Sequence, residues 1–108
     1  MPESNPEAEP KVAIRNVRTR EFRYLHSELP IRIQELATKA FRFFVDTPHH
    51  PSLRLHRLKD DTAGRHRDGS ISVSLSRQYR AIYFTNGDVN VWYWIGTHAD
   101  YDRFTGAT

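Results

Sequence analysis

Alternating apolar and polar residues in the second half of the chain predict three consecutive strands. Residues 71–75 (ISVSL) alternate with period 2, which is typical of a strand with one buried face. Residues 79–84 and 89–95 are rich in aromatic and β-branched side chains, and Asn86-Gly87 lies between them. Because Asn-Gly favours the positive φ angles of a tight hairpin, the last two strands are predicted to pair antiparallel.

Strict alternation along the last of these strands places Trp92 and Trp94 on one face and Tyr93 on the other. One face is predicted to belong to the core. The second is predicted to cover a partner protein or to stack on bases, because a wide aromatic surface on a small protein usually has a partner.

The first half of the chain has helical periodicity instead. Residues 20–29 place four of their larger side chains on one helical face, and Pro30 suits the first turn of a second helix. From Ile33 to Phe44, apolar residues recur at i, i+3, i+4, i+7, i+8 and i+11. This spacing predicts an amphipathic helix that ends near Asp46.

Four further segments complete the predicted order. Residues 11–19 alternate weakly and predict a first strand, whereas residues 52–58 predict a strand with a basic outer face. Residues 59–69 are polar, contain two glycines and predict a mobile loop; residues 99–104 predict a terminal turn or short helix. The order β-α-α-β-β-β-β predicts an α+β domain in which an antiparallel meander packs against an N-terminal helical pair.

Length and composition limit the possible organisation. A chain of 108 residues is long enough for one core, so residues 11–108 are predicted to form a single domain. Residues 1–10 are acidic, lack periodicity and do not resemble a signal peptide, which predicts a disordered tail. Because the chain has no cysteine and no apolar run of membrane-spanning length, we expect a cytoplasmic protein that contacts no membrane.

The charge is unevenly distributed. All 16 lysines and arginines lie in residues 11–108, where they face 10 acidic residues, because three of the 13 acids belong to the tail. Within residues 54–80 there are seven bases and three acids. This local excess favours a polyanionic partner, nucleic acid first, although a basic face exposed to solvent is the alternative.

Groups with chemical potential follow the predicted strands. Arg80 lies within a strand, so it is either directed at an anion or paired with Asp100 or Asp102. His98 either exchanges protons or caps the turn that follows the last strand. The histidine and carboxylate spacings match no standard ligand pattern, and no metal site is predicted.

Four short motifs follow the predicted helical pair: His50-Pro51-Ser52-Leu53, Ser72-Val73, Tyr79-Arg80 and Ile95-Gly96-Thr97-His98. In their order and spacing, residues 12–104 resemble the RelE/ParE toxin superfamily, and within it the HigB/RelE-like plasmid-maintenance killer proteins. The resemblance implies the toxin of a toxin–antitoxin pair, with a small antitoxin as partner. RelE-type members cut mRNA in the ribosomal A site without a metal or cofactor, whereas ParE-type members poison DNA gyrase without hydrolysing RNA.

The resemblance also implies roles for individual residues. In the RelE-type reaction an RNA 2′-hydroxyl attacks the adjacent phosphate, which calls for general acid–base groups and a cation. Arg80 corresponds to the strand arginine directed at the scissile phosphate, and His98 to a C-terminal histidine that acts as acid or base. Tyr101 is expected to stack on a base or share proton transfer. The residues expected to bind rRNA and mRNA phosphates are Arg54, Arg57, Lys59, Arg65, His66 and Arg67.

Ser74 departs from the family pattern, because many active members have arginine or lysine near this position. Either Arg65, His66 or Arg67 from the preceding loop supplies the missing charge, or the nuclease is weak or absent. The leading interpretation is a ribosome-dependent mRNA endoribonuclease with ribosome, mRNA and antitoxin as partners. The alternatives are a ParE-like gyrase inhibitor and a toxin-fold interaction module without nuclease activity.

Overall fold

The computed structural model describes residues 12–60 and 64–106, and the predicted acidic tail at residues 1–10 lies outside this range. In chain order the elements are β1 (Arg15–Arg18), α1 (Arg20–Ser27), α2 (Ile31–Asp46), a 3₁₀ turn (Pro51–Leu53), β2 (His56–Arg57), β3 (Ile71–Ser74), β4 (Tyr79–Asn86), β5 (Val89–Thr97) and α3 (His98–Thr105). The α+β class and the order β-α-α-β-β-β-β are confirmed, with a third helix at the end.

The five strands form one sheet in the order β1-β5-β4-β3-β2. Strands β2 to β5 pair antiparallel, as the meander predicts, whereas β1 lies parallel to β5 at the far edge. The sheet is therefore mixed, and the prediction of an antiparallel meander is correct for four of its five strands. The β4–β5 hairpin closes over Gly87, whose φ of +63° is the positive angle that the sequence predicts there.

Local signals explain where the helices begin and end. Thr19 caps α1, and its hydroxyl accepts a hydrogen bond from the Phe22 amide at 3.1 Å. Helix α2 begins directly after Pro30 and ends at Asp46, as its periodicity predicts. No helix in the described ranges combines the length and the apolar character that crossing a bilayer requires.

Hydrophobic side chains cover both faces of the sheet. On one face, α1 and α2 enclose an aromatic core in which the Phe44 ring lies 5.5 Å from Tyr83 and 5.1 Å from Trp92. On the other face, α3 packs on β5, and Phe104 stacks on Trp94 at 5.3 Å. The predicted packing of the sheet on a helical pair is confirmed for the first face only, since α3 covers part of the second.

The predicted placement of both tryptophans on one face is wrong. Ile82 pairs with Trp94 but the next residue, Tyr83, pairs with Trp92, so Tyr93 is an extra residue in β5. Such a bulge reverses the alternation of side chains along the strand. Trp92 therefore lies in the α1–α2 core, whereas Tyr93 and Trp94 both face α3.

The predicted strand over residues 52–58 is shorter in the structure. Residues Pro51–Leu53 form a 3₁₀ turn, and Arg54 follows in the left-handed conformation with φ of 47°. Only His56–Arg57 pair with β3. The regular pattern of leucines here comes from a turn that buries Leu53, not from a long strand.

Candidate functional site

Arg80 is the second residue of β4 and lies between Ser74 of β3 and Gly96 of β5. Its guanidinium carbon lies 5.2 Å from the centroid of the Tyr101 ring, which places the charge on the α3 face of the sheet. The Nε atom is buried and has no hydrogen-bond partner in the described part of the chain. A buried donor without a partner is rare in proteins, and a ligand is one explanation for it.

The alternative, that Arg80 serves only to tie β4 to the C-terminal turn, is not what the geometry shows. Asp100 pairs with Arg103, three residues further along α3. Asp102 pairs with His98. Among the described residues, both candidate carboxylates thus have other partners, and the charge of Arg80 remains unneutralised.

Small neutral residues surround the Arg80 side chain. Ser74 lies opposite Arg80 on β3, and its hydroxyl donates to the Ser76 carbonyl at 3.1 Å. The buried Ser72 hydroxyl, two residues before Ser74 on β3, has no described partner. Gly96 is required because a Cβ there would lie only 2.8 Å from the Trp94 ring, which folds over it. The neutral face that Ser74 predicts is therefore present beside Arg80.

His98 is the first residue of α3 and also lies against Tyr101, with their ring centroids 5.9 Å apart. Its Nδ1 lies 3.3 Å from the Asp102 carboxylate, and its backbone N–H donates to the Gln78 carbonyl at 2.7 Å. The Thr97 hydroxyl, not the imidazole, caps the helix by accepting from the Asp100 amide. The His98 ring is thus free of the capping role that its position permits.

Tyr101 joins the two polar groups but is itself 7% exposed. Its ring contacts Arg80, His98 and Trp94, the last at a centroid distance of 6.2 Å. A ring enclosed in this way has no open face for a base, so the expected stacking on RNA does not fit. Tyr101 instead holds the guanidinium and the imidazole against one ring.

The six residues expected to bind nucleic acid divide into two groups. Arg54 and Arg57 lie at the β2 edge, both exposed, and Arg57 pairs with Asp60 at 3.5 Å. Lys59 is exposed, and its backbone carbonyl accepts a hydrogen bond from His66 Nε2 at 2.6 Å. His66 is half-buried, and its Nδ1 lacks a described partner.

Arg65 and Arg67 rest on aromatic rings at the other end of α3. Their guanidinium carbons lie 5.9 Å from Phe104 and 4.2 Å from Phe84, respectively. The Arg65 amide donates to the Phe104 carbonyl at 2.7 Å, and the Arg67 amide to the Tyr93 hydroxyl at 2.9 Å. Phe84 is four residues beyond Arg80 on β4, or about 13 Å along a strand, so Arg67 does not replace the charge absent at Ser74.

Tyr93 and His26 have shifted pKa values but lie outside the group formed by Arg80, His98 and Tyr101. Burial raises the pKa of Tyr93, although its hydrogen bonds with Ser70 and the Arg67 amide act in the opposite direction. Burial and the nearby charge of Arg18 lower the pKa of His26, which lies on the α1–α2 side. The Tyr93 hydroxyl is hydrogen-bonded to Ser70, and His26 lies on the opposite side of the sheet from Arg80. Neither side chain is therefore a proton donor beside Arg80.

The imidazole of His98 borders an open groove of about 290 Å³ between the β3–β4 turn and the start of α3. The groove is lined by Arg77, Gln78, Tyr79, Thr97, His98 and Ala99. Within residues 12–60 and 64–106, no group of three or more His, Asp or Glu side chains is arranged to hold a metal ion. Around Tyr101 and His98 the structure brings together the Arg80 cation, the His98 imidazole and the Asp102 carboxylate, a set suited to binding an anion and moving a proton.

Sequence comparison identifies the family. Residues 32–103 match the model of the ParE-like toxin domain, which is two thirds of the chain. The chain belongs to the ParE-like toxin domain family. Its predicted membership of the RelE/ParE toxin superfamily is thereby confirmed. A comparison with curated protein sequences finds no match.

Solved structures share the fold of this ParE-like domain at low sequence identity. YafQ from E. coli strain BL21(DE3) superposes with a TM-score of 0.63 at 12% identity, covering 80% of this chain and 94% of YafQ. The RelBE2 toxin–antitoxin complex of Mycobacterium tuberculosis gives 0.60 at 21% identity, covering 81% of this chain and 100% of the matched chain. The YoeB/ParE toxin of Agrobacterium tumefaciens gives 0.58 at 18%, covering 78% and 98%.

Sequence reasoning singled out Arg80, His98 and Tyr101, which are in contact around the Tyr101 ring, but it did not predict the strand register that shapes their surroundings. Ser72 and Gly96 line the same face because of strand register, which the positions of the hairpins alone do not specify. The pairing of Asp102 with His98 follows from their i, i+4 spacing on α3. That spacing was visible in the sequence once a helix was assumed to begin at His98.

Proposed function

We propose that this ParE-like domain is the toxin of a toxin–antitoxin pair and cleaves ribosome-bound mRNA in the cytoplasm. One observation carries the proposal: the guanidinium of Arg80, which has no described ion pair, and the imidazole of His98 both lie against the Tyr101 ring. Neither group is needed to complete the fold there, because Trp94 already packs on Tyr101. The pair supplies an anion-binding charge and a proton-exchanging group at one place.

The proposed reaction is the attack of an RNA 2′-hydroxyl on the adjacent phosphate, with general acid–base catalysis and no cofactor. Arg80 binds the non-bridging phosphate oxygens and stabilises the charge that builds up on them. His98 exchanges a proton with one of the two oxygens that change their bonds. The Arg80 Nε is buried and has no described partner. The fold therefore already bears part of the free-energy cost of desolvating the guanidinium.

The ribosome and the mRNA are the proposed substrates, and a cognate antitoxin is the proposed protein partner. Arg54, Lys59, Arg65 and Arg67 are exposed cations without a described ion pair, as contacts with RNA phosphates require. For the antitoxin, α2 presents exposed Phe41, Phe43 and Val45 outside the core. Apolar side chains exposed together on one helix favour a protein partner.

A second candidate function is inhibition of DNA gyrase, which the ParE-like character of the matching family model favours. This function requires a binding surface but no catalytic residues. Ser74 also favours it, because this position supplies no charge beside Arg80. The two candidates differ in what happens when Arg80 or His98 is replaced.

Primer extension on a defined mRNA in a translating extract tests the proposal. Wild type is compared with Arg80→Ala and His98→Ala, and each variant has a matched control at an exposed position, Arg23→Ala and His49→Ala. We expect new 5′ ends within codons for wild type and both controls. Loss of about 100-fold or more in cleavage is expected for the two site variants, with an unchanged circular dichroism spectrum.

Intact mRNA with wild type would contradict the nuclease, and gyrase supercoiling would then decide whether the second function holds. Cleavage that persists in both site variants would retain an enzyme but exclude this site. Equal losses in the site variants and in their controls would mean that general basicity, and not the Tyr101 constellation, is responsible.

A further inference from the structure

Asp102 is the one carboxylate of the described chain that contacts His98. It lies four residues further along α3, where side chains share a helical face, and its Oδ2 is 3.3 Å from His98 Nδ1. Both side chains are partly exposed, at 45% for His98 and 32% for Asp102. The contact is therefore accessible to solvent but has a defined geometry.

The neighbouring charges on α3 leave this carboxylate to the imidazole. Arg103 is adjacent to Asp102 in sequence but forms its ion pair with Asp100 instead. Because Nδ1 of His98 faces Asp102, Nε2 is the nitrogen left for a substrate. A carboxylate in this position fixes the orientation of the ring.

The other titratable and charged groups near His98 are two arginines and a tyrosine. Arg77 of the β3–β4 turn and Tyr79 at the start of β4 line the same groove as His98. Arg80 lies against the same Tyr101 ring as His98. Among the described groups around the imidazole, Asp102 is thus the one carboxylate.

We propose that Asp102 is a positioning residue that orients the His98 ring through Nδ1, so that Nε2–H is directed at the leaving 5′-oxygen of RNA. This assignment rests on the proposed ribonuclease function and makes His98 the general acid of that reaction. The 2′-oxygen forms a bond to phosphorus, and its proton passes to water. The bond from phosphorus to the 5′-oxygen breaks, and His98 gives its proton to that oxygen. The products are a 2′,3′-cyclic phosphate and a 5′-hydroxyl.

The first test is the pH dependence of single-turnover cleavage by the full chain on programmed ribosomes. A general acid is active while protonated, so the rate falls as pH rises through its titration. Removing the carboxylate in Asp102→Asn should lower the whole profile by about two- to fivefold, because the His98 ring loses the contact that orients it, and this is the range that a partly exposed pair supports. Asp102→Glu should restore part of the rate.

Asp100→Asn is the matched control, because it removes an equal charge from the same helix but one that pairs with Arg103. Its pH profile should coincide with that of wild type. A profile of Asp102→Asn that also coincides with wild type would overturn the inference, and equal losses in both variants would reduce it to a general effect of charge. If His98→Ala still loses cleavage in that case, the proposed function stands without Asp102.

The second test replaces the 5′-bridging oxygen of the scissile phosphate by sulfur. A thiolate leaves without protonation, so the need for a general acid is removed while the need for phosphate binding is kept. We expect His98→Ala and Asp102→Asn to regain wild-type rates on this substrate, and Arg80→Ala to remain slow. Failure of the first two variants to recover would contradict the role as acid, whereas no cleavage of either substrate by wild type would contradict the proposed function itself.

Discussion

Buried polar groups near the two ends of β5 differ in their hydrogen bonding. Near its start, Asn90 is fully buried, and its amide accepts from the Ala13 amide and the Thr85 hydroxyl and donates to the Ala13 carbonyl and to Asn16. Near its end, about 20 Å further along the strand, the buried Nε of Arg80 has no described partner. The fully buried Ser72 hydroxyl on the same face has none either.

The difference separates a structural from a functional use of polarity. Two donors and two acceptor sites are all that an amide side chain offers, so the Asn90 network is complete. It fastens the edge strand β1 and the preceding residues to β5, which hydrophobic burial alone does not specify. Near Arg80, the Arg80 Nε and the Ser72 hydroxyl are buried without described partners, which lowers stability, and the proposed function assigns an anion to Arg80.

Asn90→Ala is expected to have the largest effect. It removes four hydrogen bonds and leaves both polar groups of the Ala13 backbone without these partners, although Asn16 Oδ1 still accepts from Trp92 Nε1. We expect the free energy of unfolding to fall by about 3 kcal/mol. Urea denaturation measures the loss. The control is Gln78→Ala, which removes an exposed amide without a described side-chain hydrogen bond, and a change below about 0.5 kcal/mol is expected. A small loss for Asn90→Ala would mean that its network does not fasten β1.

Ser72→Ala should have a smaller effect with the opposite sign. Removing a buried hydroxyl without a partner should raise the free energy of unfolding by about 1 kcal/mol. Ser70→Ala is its control, because Ser70 is equally buried but its hydroxyl is hydrogen-bonded to the Tyr93 hydroxyl. That variant should lose about 1 kcal/mol. Two losses of similar size would contradict the distinction between the two ends of β5.

The sequence was most informative where one local pattern decides the structure. Helix α2 and the β4–β5 hairpin follow from apolar spacing and from the Asn86-Gly87 turn, and both lie where predicted. The side of the sheet that Trp92 and Trp94 occupy depends on a bulge at Tyr93, and alternation carries no signal for an inserted residue. A single shift of register moved one indole from the α3 face to the main core.

The candidate site shows the same limit. Arg80 and His98 were recognisable by residue type and by their motifs, but their meeting at Tyr101 requires α3 to fold back over β5. The loop over residues 59–69 was predicted to be mobile. The backbone amides of Arg65 and Arg67 are, however, hydrogen-bonded to the Phe104 carbonyl and the Tyr93 hydroxyl. These contacts join residues distant in sequence, and no local propensity encodes them.

Arg80→Met tests the central claim most directly, because methionine keeps an apolar stem against Tyr101 and removes only the charge and its donors. Cleavage of ribosome-bound mRNA and urea unfolding are measured on the same preparation. We predict a loss of about 100-fold or more in cleavage and a free energy of unfolding that changes by less than about 1 kcal/mol or increases. Cleavage at the wild-type rate together with a marked loss of stability would show that Arg80 holds the sheet together and contradict its role in binding RNA.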